Sequence, residues 1–213
     1  METITTSAVS SDVDFDAATS SDVLTLTDWT AEACDLPDFA DHERIIRVSD
    51  TDTGLRAFVG LHGLTLGPAL GGCRMWHCGT ETAAVTDVLR LSRGMTMKSA
   101  MAGVSADGGK YVIIGDPRTD KTEALFRAFG RALDRLNGRY ISGENVGVAV
   151  QYMDWAAIET SYMLGSGERG GDLSPARPEV GQGITPGYWC ATSRRCPWTG
   201  IRCISRFSLS PFV

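Results

Sequence analysis

The chain has 213 residues, 43% of them hydrophobic and 22% charged, with a formal net charge of -6. That length suits one domain with or without unstructured ends, and net acidity without a basic tract speaks against nucleic acid as the main partner. No apolar run approaches the roughly twenty residues needed to cross a bilayer, and the polar, acidic stretch Met1–Asp16 does not read as an export signal; a cytoplasmic protein is expected.

In chain order, residues 1–22 are rich in Ser, Thr, Asp and Ala, lack apolar periodicity and are expected to be disordered. Trp29 to Phe39 suggests a short helix leading into the domain. Glu43–Val48 and Leu55–Leu61 are strand-like, and the turn residues Ser49–Gly54 between them make a β-hairpin. A calcium loop is a weaker reading of that turn, because the later liganding glutamate is missing. Gly67–Gly72 holds Pro68 and three glycines, a composition that suits a plain turn and also lets backbone approach a ligand. Thr80 can cap a helix with Glu81 in its first turn, and Val85, Val88, Leu89 and Ser92 then share one face. Met95 fits the core or the lining of a pocket equally well.

Lys98 ends this helical pattern. Lys110, twelve positions on, follows the pair Gly108-Gly109 and precedes the apolar run Tyr111–Ile114. Helix, glycine turn and buried strand would bring both ammonium groups to one pocket. A cation beside a second cation in a partly dry cleft has its pKa pushed down, which makes a lysine usable as a base near neutrality.

Asp116-Pro117 stops the strand. Lys121–Asn137 reads as an amphipathic helix with Leu125, Phe129, Ala132, Leu133 and Leu136 inward. Its stripe of Arg127, Arg131 and Arg135 is expected to be a solvated face or an oligomer contact. Arg139–Ser142 is another strand, followed by Gly143–Gly147 and a helix from about Val150 to Leu164. Alternating strands and helices indicate an α/β fold. No Gly-x-Gly-x-x-Gly lies between a strand and a helix, so a Rossmann domain is not expected. The six cysteines, Cys34, Cys73, Cys78, Cys190, Cys196 and Cys203, contain no Cys-x-x-Cys pair and no histidine at metal-ligand spacing. They read as free thiols, with no metal site.

Several collinear motifs carry a family likeness: Gly67–Met75, Leu89–Thr96, Lys98, Met101-Ala102-Gly103, Gly108-Gly109-Lys110, Ile114–Pro117 and Leu125–Arg131. In these the chain resembles the Glu/Leu/Phe/Val dehydrogenases, most of all the phenylalanine and valine enzymes, and the resemblance fades after about Asp172. It implies a three-layer α/β domain with a mixed β-sheet over residues 23–172, serving substrate binding and oligomerisation. The implied reaction is reversible oxidative deamination of an L-amino acid to a 2-oxo acid, with NAD as hydride acceptor. Lys98 would pair with the substrate α-carboxylate and Lys110 would be the base that activates water. Met95 and the Gly71-Gly72 backbone would shape the amino-acid pocket, with a slight lean toward aromatic side chains.

Three departures from the pattern stand out. Asp107 occupies the first of three glycine positions before the lysine, where a carboxylate is expected to oppose a depressed Lys110 pKa. Asn145 stands where the family has a catalytic aspartate; it cannot take a proton, and lost acid-base catalysis is worth roughly 10²–10⁴-fold. Beyond Ser174 the composition changes to five arginines, three cysteines and two tryptophans with neither lysine nor aspartate. Residues 173–213 are expected to be an unrelated, disordered tail left by a lost reading frame, with a genuine binding tail as the competing reading. The expected activity is that of an impaired amino-acid dehydrogenase. The alternative is a non-catalytic remnant that binds an amino acid, or joins itself or a full-length relative in an oligomer.

Overall fold

The computed structural model describes residues 23–165; the expectations for 1–22 and for the tail lie outside them. Along the chain run β1 (Leu24–Asp28), α1 (Thr30–Ala33), β2 (Arg44–Asp50), β3 (Leu55–Leu61), β4 (Ala69–Trp76), α2 (Glu81–Ala102), β5 (Asp107–Ile114), α3 (Glu123–Arg135), β6 (Tyr140–Glu144) and α4 (Val150–Ala157). The strands form one sheet in the order β1-β2-β3-β5-β4-β6. Each neighbouring pair in the run β1-β2-β3-β5 is antiparallel, while β4 runs parallel to both β5 and β6. A parallel pair needs a crossover, and α2 supplies it between β4 and β5.

The sheet separates two apolar layers. On one face Val85, Val88 and Leu89 of α2 pack on Ile45, Phe58 and Val112. On the other, Leu125, Phe129 and Leu133 of α3 and Met153 of α4 pack on Val59, Tyr111, Ile113 and Tyr140. This is the three-layer, mixed-sheet α/β arrangement expected. The β2–β3 hairpin is also as expected, and Asp50 closes its turn by accepting from Thr53 N and Thr53 Oγ1, both at 2.9 Å. Thr80 caps α2, accepting from Ala83 N at 3.1 Å. Among the described residues no helix is long and apolar enough to cross a membrane. Cys34, Cys73 and Cys78 are free thiols.

Four expectations need correction. Gly108 and Gly109 are not a turn: β5 starts at Asp107 and both glycines lie inside it. The reversal is made earlier by Gly103, whose φ of 67° ends α2 in a left-handed cap. Gly108 is instead where the helix touches the sheet. A Cβ there would lie 2.2 Å from Ser92 O and 2.2 Å from Thr96 N, so only glycine lets the α2 backbone descend this far. The helix expected from Val150 to Leu164 ends at Ala157. The chain then lies along the β6 edge, with Ser142 N donating to Tyr162 O at 3.0 Å and Leu164 N to Ser142 O at 2.7 Å; satisfying that edge outweighs two more helical turns. The first helix is likewise confined to Thr30–Ala33. The arginine stripe on α3 is not simply solvated. Arg127 Nε donates to Glu159 at 2.7 Å, Arg131 Nη2 lies 3.5 Å from Asp50, and Arg135 Nη1 donates to Leu24 O at 2.7 Å.

A polar relay fastens α2 beside Gly108. Gly108 N donates to Thr96 Oγ1 at 2.8 Å, and Thr96 Oγ1 meets His62 Nδ1 at 2.9 Å. The His62 ring stands edge-on to His42, centroids 4.8 Å apart. Ala40 N donates to His42 Nδ1 at 3.2 Å, so the His42 proton sits on Nε2 and is given to Leu89 O at 3.0 Å. Adding a second proton would break the Ala40 bond. Burial, above all, holds both histidines below their ordinary value of 6.5, and Arg93 adds to this while Asp41 and Asp107 oppose it in part. A folded-state pKa lying below the unfolded one means that the unfolded chain binds more protons in that window, so stability falls as pH drops below about 6.5. Thermal melts at pH 7.5 and 5.5 should show a clear loss at the lower pH, reduced in His42→Gln; flat melts would refute the locked-neutral pair. Gly108→Ala should cost roughly 2–3 kcal/mol in chemical denaturation, and an unchanged midpoint would contradict the backbone contact.

Candidate active-site cleft

Strand alternation decides which side chains meet. Val112 belongs to the layer beneath α2 and Tyr111 to the opposite layer, so Lys110, two before Val112, faces α2. On β4, Arg74 pairs with Val112, which places Gly72 and Arg74 on that same face. Asn145 follows β6 immediately and lies against Gly72: a Cβ on Gly72 would stand 2.8 Å from Asn145 Cβ and 2.9 Å from Glu144 O. Lys98, an exposed residue on the last turns of α2, and half-buried Met95 rise from the helix on this side. Lys98, Lys110, Gly72, Met95 and Asn145 thus come from four elements to one side of the sheet.

Gly71 does not join them. Alternation turns it to the opposite side, where its carbonyl accepts from Tyr140 Oη at 2.9 Å and a Cβ would strike Gly109 O at 1.7 Å. It lets β4 and β5 approach rather than lining the cleft.

Lys110 is 3% exposed and its pKa is pulled down to about 8, first by burial and then by the Arg74 guanidinium; Lys98 adds a smaller push, while Cys73 and Asp87 act the other way. The expected second cation is therefore present, but Arg74 is the stronger one. Arg74 lies within the Gly67–Met75 motif with no role assigned to it there; its signal is the two-residue spacing from Gly72 on a strand. Arg74 Nη1 donates to Asp87 at 3.1 Å. Its Nε and Asn145 Oδ1 are buried without a hydrogen-bond partner among the described residues, as is Tyr111 Oη in the opposite layer. The expectation for Asp107 is overturned. Its Oδ2 accepts from Leu66 N at 2.8 Å, it is absent from the causes that set the Lys110 pKa, and that pKa is depressed despite it.

The N-termini of α2 and α3 do not suit the pyrophosphate of NAD. A pyrophosphate is usually received by a helix N-terminus behind a glycine-rich turn. Here α2 and α3 are capped by Thr80 and Thr122, with Glu81 and Glu123 in their first turns. Those carboxylates take the place of an anion and would repel one. What the cleft can do is hold a small anion between cations, and accept or give a proton at Lys110 Nζ.

Comparison with known proteins shows the family and the fold. A family model described as Glu/Leu/Phe/Val dehydrogenase, dimerisation domain, matches residues 42–162. Leucine dehydrogenase of Geobacillus stearothermophilus is 49% identical over 151 residues, 71% of this chain and 41% of that protein. Phenylalanine dehydrogenase of Caldalkalibacillus thermarum is 46% identical over 148 residues, 70% of this chain and 40% of that protein. The crystal structure of L-tryptophan dehydrogenase from Nostoc punctiforme superposes with a TM-score of 0.57 at 42% identity, covering 58% of this chain and 37% of that one. A glutamate dehydrogenase from Peptoniphilus asaccharolyticus, 22% identical with a TM-score of 0.51 over 67% of this chain and 42% of that one, shares the fold. The chain spans about 41% of the length of the leucine dehydrogenase it matches. With the motifs, the mixed sheet and the family match over most of the described domain in agreement, the chain belongs to the Glu/Leu/Phe/Val dehydrogenase family.

Proposed function

We propose that residues 23–172 form the substrate domain of an amino-acid dehydrogenase, binding an L-amino acid or its 2-oxo acid in the cleft between α2 and the β4–β6 floor. The observation that carries this reading is Lys110: a lysine 3% exposed, with its pKa lowered to about 8, facing a glycine floor and an orphaned amide oxygen. A buried lysine with so low a pKa is a poor structural element and a good proton-transfer group. In this reading Lys98 takes the ligand carboxylate by charge-assisted hydrogen bonds. Lys110 Nζ holds or releases the proton of the attacking water, and Met95 borders the ligand side chain. Gly72 keeps the floor flat enough for the ligand to lie close.

Hydride transfer to NAD belongs to the reaction proposed for the family, and the group that holds the nicotinamide would have to lie beyond the described residues. Asn145 favours a second reading, in which the chain binds its ligand without turning it over, since an amide cannot relay a proton. The description of the matched family segment as a dimerisation domain supports self-association or assembly with a longer relative. The preferred side chain stays within the branched-chain and aromatic classes named by the relatives. NADH production from L-leucine or L-phenylalanine by the purified chain separates the two readings, and isothermal titration tests the binding common to both.

Lys98→Ala should weaken ligand binding by about 10–100-fold, the worth of a charge-assisted bond, with the melting temperature little changed; undiminished affinity would exclude Lys98 from the site. Arg74→Gln should move the Lys110 titration midpoint upward from about 8, because a neighbouring positive charge is removed. An NMR titration of the Lys110 side chain reads this directly, and an unmoved or lower midpoint would show that Arg74 does not set it.

A further inference from the structure

The charges around Lys110 are lopsided. Arg74 on β4 and Lys98 on α2 both place positive potential on it, and Asp87 on α2 is the carboxylate whose field reaches it. Asp87 is already committed to Arg74 at 3.1 Å. Asp107 is turned to the Leu66 amide at 2.8 Å. The Cys73 thiol, whose pKa is raised by burial, is neutral. At the floor stands Asn145, seated on Gly72, with a buried Oδ1 that has no partner among the described residues. An amide has no charge at working pH and can offer either its oxygen or its NH2, since half a turn exchanges them.

We propose that Asn145 makes this cleft select the 2-oxo acid over the corresponding amino acid, the ligand carbonyl oxygen lying between Lys110 Nζ and the Asn145 amide. The proposal rests on the cleft being the amino-acid and 2-oxo-acid site described above. A 2-oxo acid brings one negative charge and one carbonyl acceptor; protonated Lys110 and the Asn145 NH2 are both donors to it, and Lys98 takes its carboxylate. An amino acid brings the same carboxylate together with an ammonium group, which carries three donors and a positive charge. Seating that group beside Lys110 requires Lys110 to give up its proton, and no uncommitted carboxylate in the set around Lys110 offsets the charge.

The pH dependence follows from the same geometry. With the Lys110 pKa at about 8, roughly one molecule in ten holds it neutral at pH 7, a roughly tenfold handicap for the amino acid. Above pH 8 the neutral form dominates, so the handicap passes to the 2-oxo acid. The groups facing Lys110 that act on it are Arg74 and Cys73 from β4 and Asp87 and Lys98 from α2. The window is that of Lys110, the member of this set whose pKa is lowered to about 8.

Isothermal titration of the full chain with 4-methyl-2-oxopentanoate and with L-leucine, at pH 7 and pH 9, tests the proposal. The 2-oxo acid should bind about tenfold tighter at pH 7, and the gap should close or reverse at pH 9. Asn145→Asp supplies the missing counter-charge and should tighten L-leucine while weakening the 2-oxo acid at pH 7. A thermal melt checks that this variant folds, and the pH series on the unaltered chain stands whatever the variant does. L-leucine binding as tightly as the 2-oxo acid at pH 7 overturns the selectivity and leaves the site standing. Binding of neither ligand overturns both.

Discussion

Helix α2 rests its backbone on β5 at Gly108, and most of what is chemically unusual in the cleft descends from that contact. With Ser92 O and Thr96 N occupying the space a Cβ would need, the helix roofs the strand closely. The next residue on the same face is Lys110. Roofed in this way, its ammonium loses water, and desolvation is the largest cause of its lowered pKa. Gly60 on β3 does the same one strand over, where a Cβ would lie 2.4 Å from Val88 Cγ1. Packing therefore fixes the electrostatics: the closeness of a helix to a sheet decides whether one lysine keeps an ordinary or a lowered pKa.

The same contact is fastened by polar groups that the chemistry does not consume. Thr96 accepts from Gly108 N and meets His62, which stands edge-on to His42, which in turn holds Leu89 O. Each member satisfies a group that burial would otherwise leave unpaired. Two residues beyond Thr96 the helix carries Lys98, and two beyond Gly108 the strand carries Lys110. The relay thus sets the spacing between the two lysines, and its dependence on neutral imidazoles ties that spacing to pH.

Much of this was legible in the sequence, and the failures have physical reasons. The hairpin, the Thr80 cap, α3 and the strand through Ile114 announce themselves by local signals: turn residues, a hydroxyl before a helix, periodicity of apolar side chains. Gly108 and Gly109 were misread because a glycine pair looks the same whether it bends the chain or admits a neighbour, and the neighbours, Thr96 and the Tyr140 ring, lie on other elements. Asp107 was misjudged because its partner, Leu66 N, is 41 residues away. Arg74 is not legible locally because the field at Lys110 is set across strands. The α3 arginines looked solvated because Glu159, Asp50 and Leu24 O become their neighbours only in the fold.

At Gly72 the cleft floor is main chain. A surface built of peptide groups offers whatever sits on it the same hydrogen bonds and the same flatness regardless of which codons drift. In the binding mode proposed above, adaptation to a bulkier or slimmer guest is closed off below and falls to the perimeter, at Met95 and its surroundings. Two descendants of this domain could diverge widely in diet while their floors stayed interchangeable.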